Sequence, residues 1–241
     1  MFTFATTQSP IVKLWRDGFV LYKNAFFKIW YVLLVLMLIS GMLQYAVVLV
    51  PMDTLISSKY GFNWNAIFLG LVTTVGLMVQ FYCIGLIFHR TYGVGADKDF
   101  KLSESMKLVR SRYLSICATG LAVFILVLIG AVALVIPGIF LAFALMFSVP
   151  AVICNHATAF KAIVASLKLV WGHWWRTFCV MLPATVVVYA IYVPVALFFT
   201  NEHSWITNAI SVVVFTFLSS LVYAFILVQF NDLKLRAKKK Q

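Results

Sequence analysis

The chain has 241 residues, 63% of them hydrophobic and only 11% charged, with a mean hydropathy of +1.01 and a formal net charge of +12. A soluble globular domain carries about a quarter of its residues as Asp, Glu, Lys and Arg, and a disordered chain has few aromatics. With aromatics at 16%, both classes are excluded, and an integral membrane protein remains.

A helix needs roughly 20 apolar residues to cross a bilayer. Charge-free runs of that length extend from Ile29 to Met52, Tyr60 to His89, Tyr113 to Phe160, Thr177 to Asn201 and His203 to Asn231. In chain order, residues 11–28 come first: Ile11, Leu14, Trp15, Phe19, Tyr22 and Phe26 recur every three or four positions, with Lys13, Arg16, Asp17 and Lys23 between them. This spacing predicts an amphipathic helix lying in the membrane interface. The first span is expected over 29–50 and the second over 64–88. A second interfacial helix is expected over 102–112, where Met106, Val109 and Tyr113 share a face.

The run from Tyr113 to Phe160 is about twice as long as the others and must hold two spans. Pro137-Gly138 divides it, since a proline followed by glycine turns a chain. Spans are therefore expected over 114–136 and 139–155, with Gly138 and Ala142 as small residues permitting their close packing. Pro150 falls inside the fourth span. A third interfacial helix is predicted over 158–172, with Ile163, Leu167 and Val170 on its apolar face. The fifth span follows over 177–199, containing Pro183 and Pro194, then the sixth over 206–230 and a basic tail over 231–241 that contains Lys238, Lys239 and Lys240. The whole reads as one all-α membrane domain with six transmembrane helices.

Positive charge is retained on the cytoplasmic side of membrane proteins. With both termini inside, eighteen of the nineteen Lys and Arg residues fall in cytoplasmic segments, and Lys59 alone falls outside. Tryptophan collects at headgroup level. Trp64 and Trp205 open spans at the outer face, Trp30, Trp174 and Trp175 open spans at the inner face, and Trp15 and Trp171 lie just before. The first apolar run begins only after a basic segment and is long enough to span, so it is expected to stay in the protein.

The segments preceding the odd-numbered spans align without gaps, Leu21 to Lys28 with Leu108 to Ser115 and with Leu169 to Arg176. Each has an aliphatic residue, a short polar or basic stretch and an aromatic at the membrane edge. The alignment is compatible with a threefold parallel hairpin repeat, and equally with the shared look of basic interface helices. Lys28, Arg110, Arg112, Lys168 and Arg176 are the candidate contacts for lipid headgroups, each base near an anionic leaflet contributing roughly 1 kcal/mol. The other reading of these bases is that they only enforce topology.

Within the spans there is no Asp, Glu, Lys or Arg, which disfavours ion-coupled transport and proton pumping. Ser40, Gln44, Thr73, Thr74, Gln80, Thr119, Ser148, Thr185, Ser211, Thr216, Ser219, Ser220 and Gln229 are expected to make interhelical hydrogen bonds, with a polar pathway as the alternative. No HExxH, GxSxG, phosphate-binding loop or paired carboxylates occur, so no catalytic residue is assigned and the chain is read as a non-enzyme. Cys154-x-His156, with His89 and His173 at a similar level, falls short of a zinc ligand set, and neither metal nor cofactor is expected. Cys83, Cys117, Cys154 and Cys179 are expected as free thiols. The lysine tail lacks the interleaved aromatics of a nucleic-acid site.

Ile136-Pro137-Gly138-Ile139, then Leu141-Ala142, Val149-Pro150-Ala151-Val152, Ala162 to Leu167, and Leu169-Val170 with Gly172 and Trp174-Trp175-Arg176 form a pattern. It resembles the YciC-like bacterial inner-membrane proteins and is similar to the membrane domain attached to some glycerophosphodiester phosphodiesterases. The resemblance covers residues 136–176, with Pro137, Gly138, Pro150, Trp174 and Trp175 as landmarks. Where such families carry an acidic residue after the Pro-Ala step, this chain has Asn155-His156. The resemblance implies a six-helix protein of the bacterial inner membrane. Together these readings predict a protein that binds, senses or moves lipids, with anionic phospholipids as partners and a homo-oligomer or another membrane protein as a further partner. A permease or channel for a small solute and a membrane scaffold or assembly subunit are the alternatives.

Overall fold

The computed structural model describes residues 2–49, 64–98, 100–199 and 205–239, and among these the chain is helical, with no strand. The helices are α1 (Ile11–Leu49), α2 (Trp64–Gly95), α3 (Leu102–Ala133), α4 (Val135–Leu145), α5 (Ser148–Asn155), α6 (Ala159–Val170), α7 (Trp174–Phe199) and α8 (Trp205–Lys239). Six stretches are long and apolar enough to cross a membrane. The fourth of them, Ile136–Asn155, is divided between α4 and α5.

Two interfacial helices expected to stand apart are continuous with the spans that follow. Residues 11–28 run into 29–49 as α1, and 102–112 run into α3. No helix breaker separates the amphipathic stretch from the apolar one in either place, so backbone bonding propagates at one hydrogen bond per residue. At 39 residues α1 is about 58 Å long, well beyond the thickness of a hydrocarbon core. The third interfacial helix is separate: α6 ends at Val170, and Gly172 at φ +85 turns the chain into α7. Only glycine adopts that φ cheaply, and no atom lies within 4 Å of where its Cβ would be, so backbone conformation alone makes the demand.

The turn between the third and fourth spans lies at Leu134 (φ −163, ψ 141) and not at Pro137-Gly138. Proline clashes with the carbonyl four residues earlier and has no N–H to offer it. α3 ends at Ala133, four residues before Pro137, which occupies the third position of α4, where a missing N–H is harmless. Pro150 acts in the same way. The helix breaks at Met146-Phe147, four and three residues before it, and Pro150 becomes the third residue of α5. Gly138 serves packing: a Cβ there would sit 2.7 Å from Ala131 Cα, so the α3–α4 hairpin closes backbone to backbone.

The buried core gathers toward one end. On α1 it runs from Leu14 to Leu36, with Leu38 and Met42 exposed; on α2 from Cys83 to Phe88, with Phe68, Leu71 and Val75 exposed. On α8 it includes Ala224 to Phe230 and Leu233. Phe225 seats this core: a Cβ on Gly18 would lie 2.7 Å from its ring, and Phe19 meets it edge-on at 5.2 Å. The outer part of the α3–α4 hairpin, with Leu121, Phe124, Ile129, Val132 and Ile136, is exposed on several faces, the environment of helices surrounded by lipid.

Candidate functional site

The end of the bundle that holds the core is also where the basic segments meet. Residues 2–10 form an extended arm laid across it. Phe4 N–H donates to the Gly95 carbonyl at 2.7 Å, and Asn231 Nδ2 donates to the Ala5 carbonyl at 2.9 Å. Ser9 N–H donates to Asp232 Oδ1 at 2.9 Å. Phe2 is buried, and a Cβ on Gly95 would lie 2.2 Å from the Phe4 ring. The N-terminal arm and the last helix thus share one face of the bundle.

Asp232 organises this face. Its carboxylate is 2% exposed and takes Arg236 Nε at 2.7 Å and Arg176 Nε at 3.1 Å on the same oxygen, Oδ2. Arg176 Nη2 and Arg236 Nη2 both donate to the Ser9 carbonyl, the latter at 3.2 Å. Asp232 lies one helical turn before Arg236, so that pair was within reach of sequence spacing. The Arg176 pair spans 56 positions and carries no local signal. Ser9 and Asp232 are the residues that sequence reasoning missed.

The five candidate headgroup bases separate by environment. Arg176 spends Nε and Nη2 on Asp232 and Ser9. Arg112 donates from Nη1 to the His156 carbonyl at 3.1 Å, which His156 presents by taking a left-handed backbone at the end of α5. Lys28 is half-buried, beside a pocket of about 210 Å³ shared with Phe2, Asn24 and Lys98, and its carbonyl receives Arg90 Nε at 2.8 Å. Arg110 and Lys168 are exposed. Lys161, one residue into the same helix as Lys168 beyond Phe160, is exposed too.

The aromatic landmarks also separate. Trp174 stacks between Phe140 and Phe178 at centroid distances of 5.6 and 5.4 Å, tying α4 to α7. Trp175 and Trp171 are each 73% exposed and Phe160 is 77% exposed. Because α6 has its apolar residues on one face and Ala162, Ser166 and Val170 buried, its outer surface carries Lys161 and Lys168 seven residues apart, on one side.

Among the described residues, six of the polar residues within the spans bond to their own helices, against expectation. Thr73 and Thr74 donate to Gly70 or Leu69, Thr119 to Ser115, Thr185 to Met181, Ser219 to Thr216 and Ser220 to Phe217. Hydroxyls reach the carbonyl three or four residues back without leaving the helix, so they need no neighbour. Longer amides do cross: Gln80 Nε2 reaches Ser40 at 2.9 Å and Gln229 Nε2 reaches Thr177 at 3.3 Å. The side chain of Gln44 lies outside the described residues. Ser166 donates at 2.7 Å to the Ala144 carbonyl, freed where α4 ends.

Among the described residues, no three His, Cys, Asp or Glu side chains gather as metal ligands would. His89 Nδ1 instead pairs with Ser105 Oγ at 2.9 Å, and all four cysteines are free thiols. Comparison with known proteins finds no match among family models, curated proteins or solved structures.

Proposed function

We propose that the chain is a non-enzymatic, multi-pass protein of the bacterial inner membrane, of the YciC-like kind, that binds, senses or moves lipids by engaging anionic headgroups at its cytoplasmic face. The observation that carries this reading is the outer surface of α6. Lys161 and Lys168 stand exposed there beside a pocket of about 240 Å³ lined also by Phe160, Val164 and Ala165, with Trp171 and Trp175 exposed just beyond. Exposed lysines beside exposed aromatic rings form a surface complementary to acidic phospholipid. The distribution of Lys and Arg supports the cytoplasmic side for this face. Against a permease, Thr73 and Ser219 spend their hydroxyls on their own helices and Gln80 pairs with Ser40.

The test is quenching of tryptophan fluorescence by brominated lipid in nanodiscs. Brominated phosphatidylglycerol should quench more strongly than brominated phosphatidylcholine, and Lys161→Gln with Lys168→Gln should remove the difference. Equal quenching by both lipids in the unmodified protein would overturn the reading.

A further inference from the structure

We infer that the Arg176–Asp232–Arg236 cluster, together with Ser9, is a binding site for a phosphate group. The inference deepens the lipid reading of the basic end and rests on it for the lipid as source. Three observations converge. Two guanidinium charges face a single carboxylate, so the cluster carries one positive charge in excess. Each guanidinium uses only Nε and Nη2 on protein acceptors, and Nη1 of both has no acceptor among the described residues; the two side chains remain 18% and 20% exposed. Ser9 is 2% exposed, and its Oγ has no hydrogen-bond partner among the described residues, although its own N–H and carbonyl are bonded into the cluster.

A buried hydroxyl without a partner is costly, and unspent guanidinium donors near a low-dielectric surface attract an oxyanion. A phosphate answers both demands. Its oxygens can accept from the Nη1 of each guanidinium and from one hydroxyl, and its charge balances the excess that Asp232 leaves. A pocket of about 390 Å³ is lined by Thr6, Thr7, Gln8 and Leu235, residues that precede Ser9 and Arg236 in the chain, and the two arginine side chains reach the surface at 18% and 20% exposure. The same chemistry recognises a phospholipid headgroup or free inorganic phosphate.

The experiment uses the full chain in two arms. In the first, protein released from nanodiscs of phosphatidylcholine with a minor share of phosphatidylglycerol is weighed by native mass spectrometry. In the second, inorganic phosphate is titrated into protein in neutral detergent and followed by phosphorus NMR. Arg236→Gln should weaken binding about tenfold in whichever arm shows it, and Ser9→Ala about threefold. Retained phosphatidylglycerol identifies the headgroup as occupant; phosphate binding without retained lipid identifies the free ion. Binding unchanged by both substitutions, or absent from both arms, overturns the site. If Arg236→Gln fails to fold, Ser9→Ala decides, because it leaves the backbone bonds to Asp232 and the arginines intact. Lys161→Gln with Lys168→Gln reports on the general lipid preference, so its loss is distinguishable from loss of this site.

Discussion

Trp15 and Cys179 lie 164 residues apart, and the indole Nε1–H of the first donates to the carbonyl of the second at 3.2 Å. Pro183, four residues after Cys179, explains why that carbonyl is available. A proline inside α7 has no N–H for it, and the bond that would normally close the turn is supplied from α1. Trp15→Phe should therefore cost about 1 kcal/mol beyond its lost packing. In a Pro183→Ala background the new N–H takes over, and the double-mutant cycle in equilibrium unfolding should show coupling of that size. Additive effects would mean that the indole contact contributes only packing.

Asp232 should be the residue on which the N-terminal arm depends. Asp232→Asn removes the charge that compensates two partly buried guanidinium groups and should destabilise the protein by about 3 kcal/mol. The arm over residues 2–10 should then exchange amide hydrogens faster than α1, as seen by mass spectrometry. Protection of Phe4 and Ser9 amides equal to that of the unmodified protein would show that the arm is held by Phe2 and Phe4 packing alone.

Arg176 and Lys168 were grouped by sequence and are separated by structure. Arg176→Gln should lower the melting temperature, since it strips one partner from buried Asp232, whereas Lys168→Gln should leave it within a degree or two. Thermal unfolding followed by circular dichroism reads the contrast. Equal melting temperatures for the two variants would deny Arg176 its structural role.

Glycines should divide by what surrounds them. Gly138→Ala drives a methyl into the Ala131 backbone at 2.7 Å, and backbone cannot yield as a side-chain tip can; a loss of about 1–3 kcal/mol is expected. Gly70→Ala meets nothing within 4 Å inside α2 and should gain roughly 0.5–1 kcal/mol by restricting the unfolded chain. Unfolding in a denaturing detergent series measures both, and the opposite signs are the prediction.

The proposed sidedness is open to a direct test at the C-terminal end. A green fluorescent protein fused after Gln241 should fluoresce and an alkaline phosphatase fused there should stay inactive, because both report a cytoplasmic C-terminus. The reverse pattern would place the basic end outside and remove anionic inner-leaflet lipid as its partner.

What the amino-acid sequence determined by itself is what depends on local sums and local sterics. The charge-free runs specify six spans, because transferring backbone and side chains into hydrocarbon is an additive cost along about 20 residues. The prolines are less decisive: breaks fall three to four residues before Pro137 and Pro150, at Leu134 and Met146-Phe147, whereas Pro183 and Pro194 lie inside the continuous α7. Only tertiary structure decided which side chains meet. In a membrane every apolar face is as well solvated by lipid as by another helix, so hydropathy does not say whether Phe225 seats against Gly18 or faces a lipid tail. Arg176 reads in sequence as one more base at the membrane edge. Its partner Asp232 lies two spans away, and the bundle's packing makes one base a structural tie and leaves Lys168 exposed.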